Sequence, residues 1–512
     1  MGNKSSRSKK ATVNMVVGFA YEAVALVCGL VLPRLILSAF GSQYNGLTSS
    51  ISQFISCIAL LKAGIGGVSR AALYKPLAEN DVKKMSEVVA ATEQYLRKIA
   101  LVFCAFVLGM AVVYPIIINR EFPWLFSSSL ILIISITTFG QYYFGLTYQN
   151  FLIADQKHYI VSAIEIFTTI LNTVVAAILI KVGAGIHIVK LGSAAVFLMN
   201  PLFMRAYTIR KYHLNVKIKP PKDTLKQKWD AIGHAIATFV NDNTDVMILT
   251  IFTTLSEVSV YTVYNYVIVS IKKIVNTFVT GFGAAFGNMY VKNEYDVMEE
   301  NLCIFETIVF SLVSIIYSVT LVMICPFAII YTKSIVDTQY FRPLFGILVT
   351  LAGACACFRI PYQTIVIAIG HYKQTRNGAF AEAILNIVIS VLCVIKFGLI
   401  GVAAGTLAAA LFRSFQYAIY LSRNVIKRSP MKFISHVLTT SAVIVALYFI
   451  SKLYPAQESI NSVGKWILYS GVSAIISVIL TLGVDLIFYR KETFLAIKKV
   501  KGIFIKKKAG ES

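Results

Sequence analysis

The stretch Cys303–Ile330, CIFETIVFSLVSIIYSVTLVMICPFAII, runs for 28 residues with a single charged side chain, Glu306. A helix rises about 1.5 Å per residue, so this run exceeds the ~20 residues that cross a hydrocarbon core ~30 Å thick. Working outward from it, runs of the same character fall near 12–39, 47–72, 99–118, 128–153, 160–181, 186–209, 231–254, 259–290, 343–369, 378–396, 400–421, 433–453 and 466–488. The sequence therefore predicts an all-α polytopic membrane protein with about fourteen transmembrane helices. Composition agrees: 57% of the 512 residues are apolar and 14% charged, against roughly 45–50% and about 25% in soluble domains. The longest polar stretch, 210–230 with Pro220–Pro221, leaves no room for a soluble catalytic domain. Several runs are longer than one crossing needs, and Pro33, Pro326 and Pro361 are the expected kink points.

Orientation follows from the basic residues. With the N-terminus inside, the inner segments hold 32 of the 48 Lys and Arg, the outer loops eight, and the spans eight. Both termini are thus expected on the cytoplasmic side of the cell membrane. The net charge of +24 is explained by basic residues capping helix ends, without nucleic acid as a partner. All eight cysteines lie in apolar runs and read as packing residues, and no zinc spacing is present.

The two halves repeat. Tyr148-Gln149, Phe151-Leu152-Ile153-Ala154 and Lys157-His158-Tyr159 match Tyr362-Gln363, Ile365-Val366-Ile367-Ala368 and His371-Tyr372-Lys373 at an offset of 214, which also relates Asn172 to Asn386. Tyr44, Gly64 and Gly66 match Tyr261, Gly281 and Gly283 at 217. Six helices per half make the repeats parallel. The expected organisation is a six-helix bundle over 1–209, a basic linker over 210–230, a second bundle over 231–428, two further helices within 429–489 and a basic tail over 490–512. Two such bundles describe a transporter with a cavity between its halves.

The fourteen-span plan, the duplicated halves and the stretch from Asp245-Val-Met-Ile-Leu-Thr-Ile-Phe through Val260-Tyr261 resemble the polysaccharide-exporter branch of the multidrug/oligosaccharidyl-lipid/polysaccharide (MOP) superfamily. That branch includes Wzx-type flippases and the MurJ-type lipid II flippases. The resemblance implies a flippase or exporter that moves a polyprenyl-diphosphate-linked oligosaccharide across the cytoplasmic membrane by alternating access. It also implies a cationic cavity lined largely by the first, second, seventh and eighth helices.

Charges at membrane depth are functional candidates because each costs at least ~2.5–3.5 kcal/mol to insert. Ten stand out: Glu22, Arg34, Lys62, Arg70, Asp242, Asp245, Lys272, Lys273, Arg359 and Arg413, seven positive and three negative. An excess of cations calls for an anionic cargo such as a lipid-linked diphosphate. The expected substrate-binding residues are Arg34, Lys62, Arg70, Lys272, Lys273, Arg359 and Arg413, and the expected residues for coupling to Na⁺ or H⁺ are Asp242, Asp245 and Glu22. Plainer roles stand beside these. Arg70 near a span end snorkels; Asp242 and Asp245, sharing a helix face, neutralise Lys62 or Lys272; Glu165, Arg205, Glu306 and Glu382 sit at the inner interface.

No phosphate-loop motif and no histidine cluster occurs, so neither an enzyme nor a cofactor is expected. The partners expected are the lipid-linked oligosaccharide, membrane lipids and a polysaccharide polymerase. The alternative function is a cation-coupled multidrug or metabolite exporter of the MATE type, whose cavity would be acidic or aromatic.

Overall fold

An apolar run in a bilayer meets no water, so its backbone must satisfy its own hydrogen bonds, and a helix does this one segment at a time. The computed structural model is 89% helical, with no strand among the described residues. These are residues 2–62, 65–118, 121–216, 218, 243–279, 282–455 and 457–498. The chain forms two compact units: Met1–Phe239 with Thr254–Ser259, and Val240–Thr253 with Val260–Ser512.

Unit 1 contains α1 (Gly2–Phe40), α2 (Ser42–Ser56), a 3₁₀ turn at Cys57–Lys62, α3 (Ile65–Glu79), α4 (Val82–Ile117), α5 (Trp124–Gly140), a π-helical turn at Gln141–Gly145, α6 (Leu146–Ala154), α7 (His158–Lys181) and α8 (Ile186–Tyr212). Unit 2 contains α9 (Asn243–Phe252). It continues with α10 (Leu255–Val279), whose first turn belongs to unit 1, then α11 (Phe282–Val291), α12 (Tyr295–Tyr331), α13 (Pro343–Phe358) and α14 (Ile360–Ala368). It ends with α15 (Tyr372–Phe397), α16 (Leu399–Asn424), α17 (Met431–Ile450) and α18 (Val463–Phe488).

Among the described residues, eleven helices are long and apolar enough to span a membrane, or twelve if α10 and α11 form one span. The chain is a multi-pass membrane protein. The two other expected crossings, 47–72 and 231–254, include residues 63–64 and 231–242, which lie outside the described set. The prolines divide. Helices α1 and α12 run unbroken through Pro33 and Pro326, whereas Pro361 sits in the first turn of α14, just after the helix breaks at Arg359. In the first turn its missing N–H costs nothing, which is why the break falls there.

The repeat is written into the helix ends. Residues with left-handed φ follow α3, α6, α7 and α8 at Asn80, Gln156, Gly183 and His213. They follow α11, α14, α15 and α16 at Asn293, Gly370, Gly398 and Lys427, at offsets of 213 to 215. Each stops one helix and turns the chain into the next. Matching packing follows: a Cβ on Gly66 would meet the Asn150 side chain at 3.2 Å, and one on Gly283 would meet Thr364 at 3.6 Å.

Helices α17 and α18 pack against α12 of unit 2. The face of α18 turned inward is polar: Asp485 accepts from Ser311 at 2.5 Å, Thr481 meets Ser314 at 3.0 Å, and Ser477 donates to the Ile315 carbonyl at 3.4 Å. Its outward face carries Ile467, Ile475, Ile479 and Leu486, all exposed. Polar side chains between helices and apolar ones outside are the arrangement lipid favours.

Candidate functional site

The ten predicted charges fall into separate settings. In unit 1, Glu22 and Arg34 lie on exposed faces of α1, and Arg70 is half-buried on α3. Glu165 of α7 lies within electrostatic reach of Glu22, so a pair of carboxylates faces the α1–α7 seam. Lys62 ends the 3₁₀ turn after α2; its side chain lies outside the described residues, as does all of Asp242. Gly64 and Gly281, the other repeat glycines, are outside them too.

Unit 2 gathers more. Asp245 on α9 is buried, and its Oδ2 accepts hydrogen bonds from Tyr261 Oη at 2.8 Å and Thr406 Oγ1 at 2.7 Å. Asn386 Nδ2 reaches Thr406 Oγ1 at 3.4 Å, and Asn386 Oδ1 is buried without a hydrogen-bond partner. Helices α9, α10, α15 and α16 thus bring Asp245, Tyr261, Asn386 and Thr406 into one hydrogen-bonded group. Asn386 is one of the repeat residues, and its counterpart Asn172 has a similarly orphaned Oδ1.

The second cluster forms at the α13–α14 break. Arg359 donates to Glu382 Oε1 at 2.5 Å, and Arg413 Nε lies 3.3 Å from Glu382 Oε2. Arg413 also donates to the Thr375 carbonyl at 3.1 Å, Gln416 at 2.7 Å and Tyr417 Oη at 2.8 Å, and lies 4.0 Å over the Tyr417 ring. It is 3% exposed, so its donors are spent on the protein, while Arg359 keeps 14% of its surface open. Cys357 lies within Coulomb reach of both Arg359 and Lys272 of α10. Lys272 is half-buried and the adjacent Lys273 exposed. Two arginines therefore share the one carboxylate of Glu382.

Glu306 and Glu382 are buried within the protein, and each is held by arginine. Sequence reading also missed Glu93, Tyr148, Arg97 and Arg205 as a group. Tyr148 Oη donates to Glu93 at 2.7 Å, and Arg97 donates to the other carboxylate oxygen at 3.2 Å. The counterpart in unit 2 is Glu306 with Tyr362, whose buried hydroxyl lies near Glu306 and Arg428. The signal was available: Glu93 and Glu306 are 213 apart, one residue off the register of the two tyrosines. All eight cysteines are free, and no cluster of three or more His, Cys, Asp or Glu occurs among the described residues.

No family model and no curated protein matches the sequence. Solved structures do match in fold. A lipid II flippase MurJ in an inward closed conformation superposes with a TM-score of 0.69 at 15% identity, covering 94% of this chain and 99% of that one. An inward-facing multidrug resistance MATE transporter of the MOP superfamily gives 0.57 at 13% identity, covering 85% and 98%. The Vibrio cholerae MATE transporter VcmN in its bent form gives 0.54 at 13% identity, covering 85% and 99%. The chain has the fold that these transporters share.

Proposed function

We propose that this membrane protein is a flippase for a polyprenyl-diphosphate-linked oligosaccharide in surface-polysaccharide assembly, working by alternating access. The observation that carries the reading is the single carboxylate of Glu382 shared by Arg359 and Arg413, with Cys357 within Coulomb reach of Arg359 and Lys272. Glu382 offsets only one of the two arginines it joins, so the group keeps a positive charge, and Lys272 is proposed to add to it. A diphosphate is the cargo that such an excess suits, with Arg359 offering a fork and Lys272 a point charge. Arg34, Arg70, Lys62 and Lys273 are proposed as further contacts along its path, with a polysaccharide polymerase as the consumer of the product.

Coupling to Na⁺ or H⁺ is proposed at Asp245, whose buried carboxylate lies against the hydroxyl oxygens of Tyr261 and Thr406. Oxygen donors of this kind suit a hard cation. A second reading, export of a cationic drug or metabolite, is favoured by the Glu22–Glu165 carboxylate pair.

Proteoliposomes loaded with a fluorescent polyprenyl-diphosphate sugar test the proposal. Lys272→Gln should lower flipping about ten- to hundred-fold, the equivalent of losing one charge-assisted contact of ~1.5–3 kcal/mol, with normal membrane abundance, and Arg359→Gln should lower flipping per folded molecule to a similar extent, since it also removes a partner of Glu382. Arg413→Gln should instead lower abundance, because it strips the buried Glu382 of a partner. Unchanged flipping by the Arg359→Gln, Lys272→Gln double variant would refute the cationic site. Loss of drug efflux in Glu22→Gln with flipping absent throughout would favour the second reading.

A further inference from the structure

Helices α4 and α12 are repeat partners, and an offset of 213 pairs Glu93 with Glu306, Arg97 with Phe310 and Leu101 with Ser314. In unit 2 this face of α12 is covered. Phe310 stacks on His436 of α17 at 5.0 Å, and Ser314 meets Thr481 of α18 at 3.0 Å. Among the described residues, unit 1 has no counterpart of α17 and α18, and the same face of α4 is open: Leu101, Leu108, Val112 and Ile116 are 53–67% exposed. These residues recur at helical spacing with Arg97 at the head of the row. A bare apolar stripe on a membrane helix is covered by acyl chains.

The charges at the head of the stripe do not balance. Glu93 is 4% exposed and faces two guanidiniums: Arg97 at 3.2 Å, 39% exposed, and Arg205 of α8 at 4.0 Å, 26% exposed. In unit 2 the equivalent Glu306 has one bidentate partner, Arg428, and both side chains are 3% exposed or less. Unit 1 therefore holds one positive charge more than its carboxylate neutralises. The π-helical turn positions the pair: Arg97 lies 5.0 Å over the Tyr143 ring and Arg205 5.8 Å over Phe144. A Cβ on Gly145 would lie 2.6 Å from Pro201, so the glycine is what lets α8 bring Arg205 close. Arg97 Nε is buried and without a hydrogen-bond partner.

We infer that Arg97 and Arg205, flanking Glu93 at the head of the open face of α4, bind the phosphate of an anionic membrane phospholipid whose acyl chains lie along Leu101, Leu108 and Val112. The cation excess and the two stacked guanidiniums suit a phosphate, and the apolar stripe below them is why the occupant is a lipid rather than free phosphate. This site is independent of the transported cargo and stands or falls without it.

Native mass spectrometry of the full chain, free of any lipid-linked sugar, tests the site with phosphatidylglycerol, phosphatidylcholine and inorganic phosphate as probes. Phosphatidylglycerol should bind the unaltered protein more tightly than phosphatidylcholine, and inorganic phosphate should not displace it. Arg97→Gln and Arg205→Gln should each weaken phosphatidylglycerol binding about tenfold, and each leaves Glu93 one arginine, so both should fold. Glu93→Gln frees both guanidiniums and should tighten binding several-fold, whereas a purely structural trio would show no gain. Equal binding of the two lipids overturns the proposal, as does wild-type affinity in both arginine variants or weaker binding in Glu93→Gln. Displacement by inorganic phosphate would make it a free-anion site and overturn the lipid assignment.

Discussion

The two units share a helix plan and differ in how they close it. Their helices end at equivalent left-handed residues, and each buries a glutamate beside a tyrosine of the same register. In unit 2 the glutamate is sealed by one arginine under two extra helices; in unit 1 two half-open arginines share it. The same template thus makes a neutral, buried joint in one place and a charged, accessible one in the other. The number of covering helices decides which, because a buried ion pair is tolerated only when both partners are matched.

The sharpest way to break this comparison is to remove one side of the sealed joint. Arg428→Leu should cost about 3–5 kcal/mol by stranding Glu306, seen as a collapse of folded protein in the membrane. Glu306→Leu with Arg428→Leu should recover most of it. Arg97→Leu should cost under ~1 kcal/mol, as expected for a half-exposed pair whose carboxylate keeps Arg205. Equal losses at Arg428 and Arg97 would mean that the joints are equivalent after all.

A smaller effect tests the shared helix ends. Gln156 and Gly370 occupy matching positions with φ of 59° and 77°. A left-handed non-glycine residue costs roughly 1–2 kcal/mol, so Gly370→Gln should destabilise by about 1 kcal/mol and Gln156→Gly should stabilise slightly. Thermal unfolding in detergent reads both, and shifts of the same sign would contradict the repeat.

The smallest effect lies in the α4–α5 loop. Glu121 Oε1 accepts the Leu255 N–H at 2.9 Å, capping the start of α10. Burial raises its carboxyl above the ordinary value, while that hydrogen bond pulls it down. The sign follows: folding favours the protonated form, so stability is full below the ordinary carboxylate range and falls as pH rises through the raised value. Glu121→Gln keeps an acceptor and should flatten this slope in thermal unfolding measured upward from about pH 4. Parallel pH curves for the two proteins would dismiss the effect.

The amino-acid sequence by itself determined the membrane-spanning, all-helical class, because apolar runs such as Cys303–Ile330 admit no other backbone solution in lipid. It also carried the repeat, through Tyr148 and Tyr362 and through Asn172 and Asn386, because duplicated packing keeps duplicated residues. Which charge meets which was decided only by the tertiary structure. Glu382 lies 23 residues from Arg359 and Glu306 lies 122 from Arg428 along the chain, and no local spacing foretells either pair. Arg413 looked as available as Arg359 in sequence, yet it is enclosed by Thr375, Gln416 and Tyr417. The physical reason is that inserting a charge has a cost set by depth, which sequence conveys, while its compensation depends on partners from other helices, which only packing supplies.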